Sequence, residues 1–340
     1  MTEYLTLLLD CPVVIAAIFI SGIGGTFQYG FGLSVMTSPS GFIKELWDHW
    51  MAGPLITKFG RKRCLLLNNF VAIFGAVLMI LSQTATSFEM IMVARLLYGI
   101  NAGVSLSAHT IYLVECAPKR LRGMVGVTVA TFISLGKFCG QLLGISELLG
   151  TQERWPWLLG FNGFTALLQL STMPLLPESP RFLLLDRGDR QACEKALRRL
   201  WGNKDHSMEV EEMLEEKAAL QNVRSHSVME LIQNQTVRWQ LLTILVTFTA
   251  LQLCGINAVY FYSFEVFRAA GIQEHQLRYT ALGTGMCELS TSVACFMIIE
   301  NTGKKVLMLR GYTGMSATVI LLTVTLYLQW TSWSNSSSSR

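Results

Sequence analysis

The feature that most constrains this chain is a series of long apolar stretches that carry almost no charge. The first of them is the most extreme, since residues 11–43 contain no Asp, Glu, Lys or Arg. A helix needs about 20 predominantly apolar residues to cross the hydrocarbon core of a bilayer. On this basis we predict an all-α integral membrane protein. Its eight spanning helices are expected at residues 12–36, 64–82, 89–114, 123–146, 155–176, 239–264, 279–299 and 311–331.

The composition of the whole chain supports the same class. Of its 340 residues, 51% are hydrophobic and only 15% are charged, whereas about a quarter of the residues of an average soluble domain are charged. These values argue against a soluble enzyme, a disordered chain and a nucleic-acid-binding protein. The sequence contains no phosphate-binding glycine loop and no arrangement of residues typical of a nucleophile, and its eight cysteines lack metal-ligand spacing. We therefore expect neither an enzyme nor a bound cofactor or metal.

The basic residues predict how the chain is oriented and divided. Clusters of Lys and Arg occur at 58–63, 119–122 and 304–310, in alternate connections between the predicted spans. Because basic connections remain cytoplasmic, these clusters mark the cytoplasmic side. The basic segment 177–238 should lie there too, as a helical insert between an N-terminal bundle at 1–176 and a partial C-terminal bundle at 239–340. This insert is interpreted as a clamp, with a solvated linker as the alternative.

Local signals predict two details of packing. Ser179, before Pro180, and Asp189 are suited to cap the N-termini of helices in the insert. Glycines at four-residue spacing favour close contact between membrane helices. They form one ridge at Gly136, Gly140 and Gly144 and a second at Gly99 and Gly103. We expect close helix packing at both ridges.

Short motifs connect the chain to a known family. Gly60-Arg61-Lys62 is repeated in related form as Gly303-Lys304-Lys305, again between two spans, which indicates a duplicated bundle. Four further motifs follow in order: RLLYG at 95–99, ECAPKRLRG at 115–123, PESPRF at 177–182 and QLCGINAVY at 252–260. Together they resemble the sugar porters of the major facilitator superfamily. Within these, the chain is most similar to the facilitative hexose transporters of the fructose/glucose class.

The resemblance implies twelve spans in two six-helix halves, with the sugar site between the halves. This chain departs from that pattern, because the first span runs almost directly into Ala52-Gly53-Pro54, where the family has its second span. The last three spans are also missing. We therefore expect the major facilitator fold in incomplete form, with about eight of twelve spans, as in an alternatively spliced or otherwise shortened product.

The resemblance also implies which residues bind the sugar. Polar side chains in the predicted spans that match or lie near sugar-binding positions of the family are Gln28, Gln141, Gln252, Asn257 and Glu288. Hydrogen bonds between helices are the alternative for the amides. For Glu288, which stands where the family has an asparagine, an ion pair with Lys137 is equally open.

A second group of charged residues is implied to form gating salt bridges at the cytoplasmic ends of the spans. Its members are Arg61, Lys62, Glu115, Arg122, Glu178, Arg181, Glu300 and Lys304. In the family such residues latch one state of the carrier. The alternative is that positive charge here only sets the topology.

These observations lead to three hypotheses about function. The first is facilitative transport of glucose, fructose or both by alternating access in the plasma membrane, with a small-molecule hexose and the lipid bilayer as the partners. The second is a non-transporting, shortened product that is degraded or associates with full-length carriers. The third and more remote hypothesis is a proton-coupled symporter, which is disfavoured because the first span has no carboxylate.

Overall fold

A computed structural model of the chain describes residues 8–35, 56, 58–145, 147–151, 153–203, 206–221, 235–253, 265–268 and 271–338. Within these ranges the regular structure is helical, with no strand. The first part of the chain forms α1 Pro12–Gly24, α2 Thr26–Val35, α3 Arg61–Ala85, α4 Phe88–Cys116, α5 Arg122–Leu143 and α6 Trp155–Thr172. The second part forms α7 Arg190–Trp201, α8 Ser207–Gln221, α9 Gln235–Leu253, α10 Glu274–Thr302 and α11 Lys304–Ser338. The prediction of an all-α chain is therefore confirmed.

Each of the eight predicted spans contains helix in its described residues, but six helical stretches of these residues are long and apolar enough to cross a membrane. They are Pro12–Gly32, which combines α1 with most of α2, and Arg61–Ala85, Phe88–Cys116, Lys119–Leu143, Tyr279–Ile299 and Lys305–Thr325. The other two predicted spans hold α6 and α9, which differ from expectation at one end. Helix α6 stops at Thr172 because Pro174 follows within a short 3₁₀ turn. Helix α9 begins with polar residues, and the described part ends at Leu253.

The first span differs from the prediction in being divided. Gly25 separates α1 from α2, with φ −109° and ψ −92°, although its N–H still donates to Ser21 O at 2.8 Å. Thr26, just beyond the break, is fully buried. The break therefore changes the course of the backbone inside the bundle rather than at its surface.

Helices α2 and α5 are in direct backbone contact. A Cβ placed on Gly136 would lie 2.2 Å from Phe27 O, and one placed on Gly30 would lie 2.0 Å from Ile133 O. Close packing at Gly136 is thus confirmed. At Gly99 an added Cβ would meet no described atom within 4 Å, so close packing at the second ridge stays a prediction.

The second part of the chain meets the first mainly where α10 packs on α5. Only a small share of the apolar window of α10 is buried, and none of the window of α11 is. The packed core of the described residues therefore lies in α1–α6 and is continued by α7.

Candidate functional site

One face of α10 lies along α5. The residues on this face recur every three or four positions, which places them on a single stripe of the helix. They are Leu277, Ala281, Gly285, Glu288 and Ser292, and the matching residues of α5 are Thr131, Ser134, Lys137 and Gln141. We call this contact the polar seam. It joins the first part of the chain to the second within the membrane-spanning helices.

An ion pair lies at the centre of the polar seam. The ammonium of Lys137 donates to Glu288 Oε1 at 2.8 Å, and both side chains are mostly buried, with 14% and 24% of their surface exposed. Ser134 donates to the same oxygen at 3.5 Å, and the hydroxyls of Ser292 and Thr131 are 3.3 Å apart. Of the two alternatives for Glu288, the structure therefore contains the ion pair. Contact between the same carboxylate and a sugar stays a prediction.

Gln141 lies across Gly285 in the seam. A Cβ on Gly285 would lie 1.9 Å from Gln141 Oε1, so a larger residue here would require the carboxamide to move. This oxygen is buried, and no donor among the described residues reaches it. A buried acceptor without a donor is costly, and a hydroxyl-bearing ligand would supply the missing hydrogen bond.

Gln28 belongs to a different polar network, inside the first bundle. It is almost fully buried, and its Oε1 accepts a hydrogen bond from Asn101 Nδ2 at 2.9 Å. Asn68 extends the network by donating to Asn101 O at 2.9 Å and to Ser105 Oγ at 2.8 Å. Sequence analysis did not single out this network. The four-residue spacing of Asn101, Ser105 and His109 along α4 was the signal that pointed to a polar face.

Four other predicted site residues have no described side-chain geometry. Gln252 lies in α9, Glu300 in α10 and Lys304 in α11, but the structure describes only their backbone. Asn257 lies outside the described residues. Their roles remain predictions.

At the basic end of the bundle, Arg61 joins three parts of the chain. Its guanidinium forms an ion pair with Glu115, in which Nη2 donates to Oε1 at 3.0 Å and Nε lies 2.9 Å from Oε2 without the geometry of a hydrogen bond. Its Nη1 is also 2.7 Å from Asp186 Oδ2, and its Cζ lies 5.0 Å from the ring centroid of Phe182. The hydroxyl of Ser179 donates to Glu115 Oε2. The first turn of α3, the last turn of α4 and the insert are thereby connected through one cation.

Lys62 and Glu178 form a second connection beside the first. Glu178 Oε1 accepts from the backbone N–H of Lys62 at 2.9 Å, at the start of α3. The ammonium of Lys62 donates to Leu176 O at 2.6 Å and to Pro174 O at 3.0 Å. Gly60, with φ +94°, is required in this turn, because a Cβ there would lie 2.9 Å from Glu178 Oε2.

The helix α8 of the insert adds two ion pairs at the same end. Arg181 pairs with Glu216, and Lys119 pairs with Glu212. Arg122 makes only a long contact, from Nε to Ala117 O at 3.5 Å. Sequence analysis did not identify Asp186, Glu212 and Glu216, because the predicted latch was limited to positions that match the family motifs.

A cavity of about 780 Å³ lies between α8 and the ends of α4 and α5. Side chains of both signs line it, among them Glu115, Arg122, Arg181 and Glu216. The cavity leaves these side chains room to change their partners. Among the described residues, no group of three or more His, Cys, Asp and Glu side chains is arranged to hold a metal ion.

The insert has a small folded core of its own. Ser179 Oγ accepts from Phe182 N at 3.3 Å and Asp189 Oδ1 accepts from Ala192 N at 2.9 Å, which confirms both predicted caps. Cys193 is fully buried in this core, and desolvation raises the pKa of its thiol to about 11.

Donors from the insert and from α4 complete the contact between the insert and the bundle. Trp201 Nε1 donates to Cys116 O at 2.9 Å, and Arg199 Nη2 donates to Leu175 O at 2.6 Å. In the opposite direction, Tyr112 donates to Pro177 O at 2.8 Å. These contacts support the interpretation of the insert as a clamp.

Comparisons with known proteins agree with this architecture. The family described as "Sugar (and other) transporter" matches residues 48–338. Human solute carrier family 2, facilitated glucose transporter member 11, is 42% identical over 356 residues, which cover 95% of this chain and 72% of the relative. The bovine facilitated glucose transporter member 5 is 38% identical and is covered to 70% of its length, over 94% of this chain. The match to the human relative is longer than the chain's 340 residues, so the relative has positions that this chain lacks.

Solved structures show the same fold. The proton:xylose symporter XylE of E. coli, bound to 6-bromo-6-deoxy-D-glucose, superimposes with a TM-score of 0.70 at 20% identity. The superposition covers 86% of this chain and 70% of the symporter. At that identity the likeness establishes the major facilitator fold alone. Taken with the family match and the close relatives, it shows that this chain belongs to the sugar transporter family and is an integral membrane protein, not an enzyme.

Proposed function

We propose that the chain is a facilitative carrier of hexoses, glucose or fructose, in the plasma membrane and that it works by alternating access. The observation that carries this proposal is the polar seam between the two parts of the chain. Carbohydrate recognition requires neutral donors and acceptors in a mainly apolar pocket. The seam contains the acceptor of Gln141, which no donor among the described residues reaches, together with the carboxylate of Glu288 and the hydroxyls of Ser134 and Ser292.

In this proposal the sugar hydroxyls bind at the seam. Gln141 Oε1 accepts one hydroxyl, and Glu288 accepts another while its charge stays compensated by Lys137. Gln252 and Asn257 would contribute from α9 and the segment after it. Gln28 has its carbonyl oxygen engaged by Asn101, so direct contact with sugar would require this bond to be exchanged.

The charged residues at the basic end would act as the latch of the transport cycle. Arg61, Glu115 and Asp186 are partly dehydrated and share hydrogen bonds, so small movements exchange partners at a modest cost. Lys62 and Glu178 fasten the neighbouring turn, and Arg122 and Arg181 face the cavity beside it. Glu300 and Lys304 are proposed to act at the matching connection of the second part. Breaking the latch on the cytoplasmic side would open the seam to the cell interior.

We further propose uniport, without an ion gradient. The first span, whose helical part is Pro12–Val35, contains no Asp or Glu that could carry a proton. Lys137 and Glu288 form an ion pair in the structure, so neither stands as an isolated charge in the membrane.

The test is uptake of labelled fructose and glucose into liposomes that contain this chain. We expect saturable flux for a hexose, inhibited by the unlabelled sugar and unaffected by collapse of a pH gradient. Gln141→Leu should raise the KM for the sugar about tenfold, as expected when a ligand's hydroxyl loses its hydrogen-bond partner. Gln83→Leu, at an exposed glutamine of α3, is the matched control and should leave the KM unchanged. Flux no greater than in empty liposomes would refute the proposal.

A second candidate function is association with full-length carriers. It is favoured by the apolar window of α11, in which no residue is buried within the described chain. Co-expression with a tagged full-length relative should then recover this chain on the tag in detergent. Recovery without any hexose flux would favour this function over the first.

A further inference from the structure

The Lys137–Glu288 pair joins the two parts of the chain at a place where charge is expensive. Lys137 is fifteen residues beyond Arg122, the first residue of α5, a rise of roughly 22 Å along the helix. Glu288 is at the middle of α10, fourteen residues from each end. Glu288 is therefore midway along its helix, and Lys137 is six residues, roughly 9 Å, before the last residue of α5, Leu143. Both lie within spanning helices, and Lys137 lies far from the basic end of the first bundle.

The surroundings of the pair make it a specific contact rather than a chance encounter. Gly285, one turn before Glu288, lets Gln141 fit against α10. One turn after Glu288, Ser292 meets Thr131 at 3.3 Å. The ion pair is thus the centre of three consecutive contacts along one stripe of each helix. Because α10 is otherwise little buried, these contacts decide how it sits on α5.

We propose that the Lys137–Glu288 ion pair is a clasp between the two halves of the protein, which holds the polar seam closed and must separate for the seam to open. Separation of the pair would leave two charges in a weakly polar environment, which strongly favours the closed arrangement. The role in opening rests on the proposed transport function. The effect of the ion pair on the contact between α5 and α10 does not rest on that function. This effect can be measured without any sugar.

The experiment measures the proximity of α5 and α10 directly. Cysteines at Thr131 and Ser292, whose hydroxyls are 3.3 Å apart, should form a disulfide when the protein in liposomes is oxidised. Cys139, Cys287 and Cys295, on the same two helices, are replaced by serine to remove competing thiols. The rate of disulfide formation then reports how well the seam is closed.

Three changes of the pair are compared in this background. The double variant Lys137→Met/Glu288→Gln removes both charges and leaves neither isolated, so it should fold, yet we expect it to form the disulfide about tenfold more slowly. The reversed pair, Lys137→Glu/Glu288→Lys, should restore the rate to within about twofold of the parent, because attraction persists when the charges are exchanged. The single variant Lys137→Met leaves the carboxylate without its cation and should be the slowest or the least stable. Lys195→Met and Glu215→Gln, at exposed residues of the insert, are the matched controls and should change nothing.

The outcomes separate the clasp from the proposed transport. If the double variant forms the disulfide as fast as the parent, the pair only compensates its own charges and the clasp is refuted. If the double variant is slow but the reversed pair is equally slow, attraction between the charges is not the cause and the clasp is again refuted. If the rates follow the expected order while the parent shows no hexose flux, the clasp stands and the transport proposal fails. If they follow it and the parent transports, the double variant should also alter the maximal rate of flux.

Discussion

The contact between α2 and α5 permits a sharp test, the substitution Gly136→Ala. The new Cβ would lie 2.2 Å from Phe27 O and 2.8 Å from Phe31 N, both of them backbone atoms that no rotamer change can move. An ordinary contact begins at 3.4 Å, so the two helices would have to separate by about 1 Å, and overpacking of this kind costs about 1–3 kcal/mol. Alanine also favours helix over glycine by about 1 kcal/mol, which partly conceals the clash.

Gly126→Ala, on the same helix, isolates that clash. A Cβ at Gly126 would meet no described atom within 4 Å, so this control has the same gain in helix propensity without the contact. The difference between the two variants, about 1–3 kcal/mol, is therefore the cost of overpacking. Thermal unfolding of the purified protein in detergent, followed by size-exclusion chromatography, should place the Tm of Gly136→Ala several degrees below that of Gly126→Ala. Equal values of Tm would refute the direct contact of the two backbones.

Three further predictions concern the basic end and the insert. Arg61→Lys keeps the charge, but an ammonium cannot donate to Glu115 and Asp186 in the forked geometry of the guanidinium. It should therefore lower the free energy of unfolding by about 1–2 kcal/mol. Arg190→Lys, at an exposed pair, should leave the free energy of unfolding unchanged in the same thermal assay. Alkylation of Cys193 should be very slow at neutral pH and accelerate only as the pH approaches the raised pKa of about 11, because the thiolate is the reactive form. Labelling is read by mass spectrometry. Rapid labelling at pH 7 would mean that the insert is not folded as described. Lys119→Ala breaks the exposed pair with Glu212 and should lower the free energy of unfolding only slightly, by an amount that disappears in high salt. A larger loss than that caused by Arg61→Lys would contradict the expectation that the more buried pair contributes more.

Much of the fold follows from the sequence alone, because a membrane helix must satisfy its own backbone and so leaves a long apolar signal. The caps at Ser179 and Asp189 were equally readable, since a cap depends only on residues three positions away. Gly136 and Gly99 show the limit of such signals. Both occur in the same kind of spacing motif, yet among the described residues only Gly136 meets another helix at close range. Which face of a helix meets a partner depends on the whole bundle.

The candidate site was harder to predict for the same reason. An ion pair between Lys137 and Glu288 was one of two alternatives for Glu288, because each residue is a rare intramembrane charge. The two residues are 151 positions apart, however, and no local pattern of the sequence joins them. Asp186, Glu212 and Glu216 look like ordinary surface acids in the sequence. Their roles depend on how the insert folds back onto α4 and α5. The Asn68–Asn101 contact is likewise a product of packing between α3 and α4.

The carbonyls after α6 have a consequence for how this membrane protein responds to its lipid. Pro174 O, Leu175 O and Leu176 O accept hydrogen bonds from Lys62 and Arg199. These carbonyls lie at the C-terminal end of α6, where the helix dipole is negative and cationic side chains are favourable. Because Lys62 and Arg199 already donate to them, the carbonyls need no hydrogen bonds from water or from lipid headgroups. A thinner or thicker bilayer should therefore shift the bundle as a rigid piece, while this exit from the membrane keeps its shape and remains protected from hydrogen–deuterium exchange.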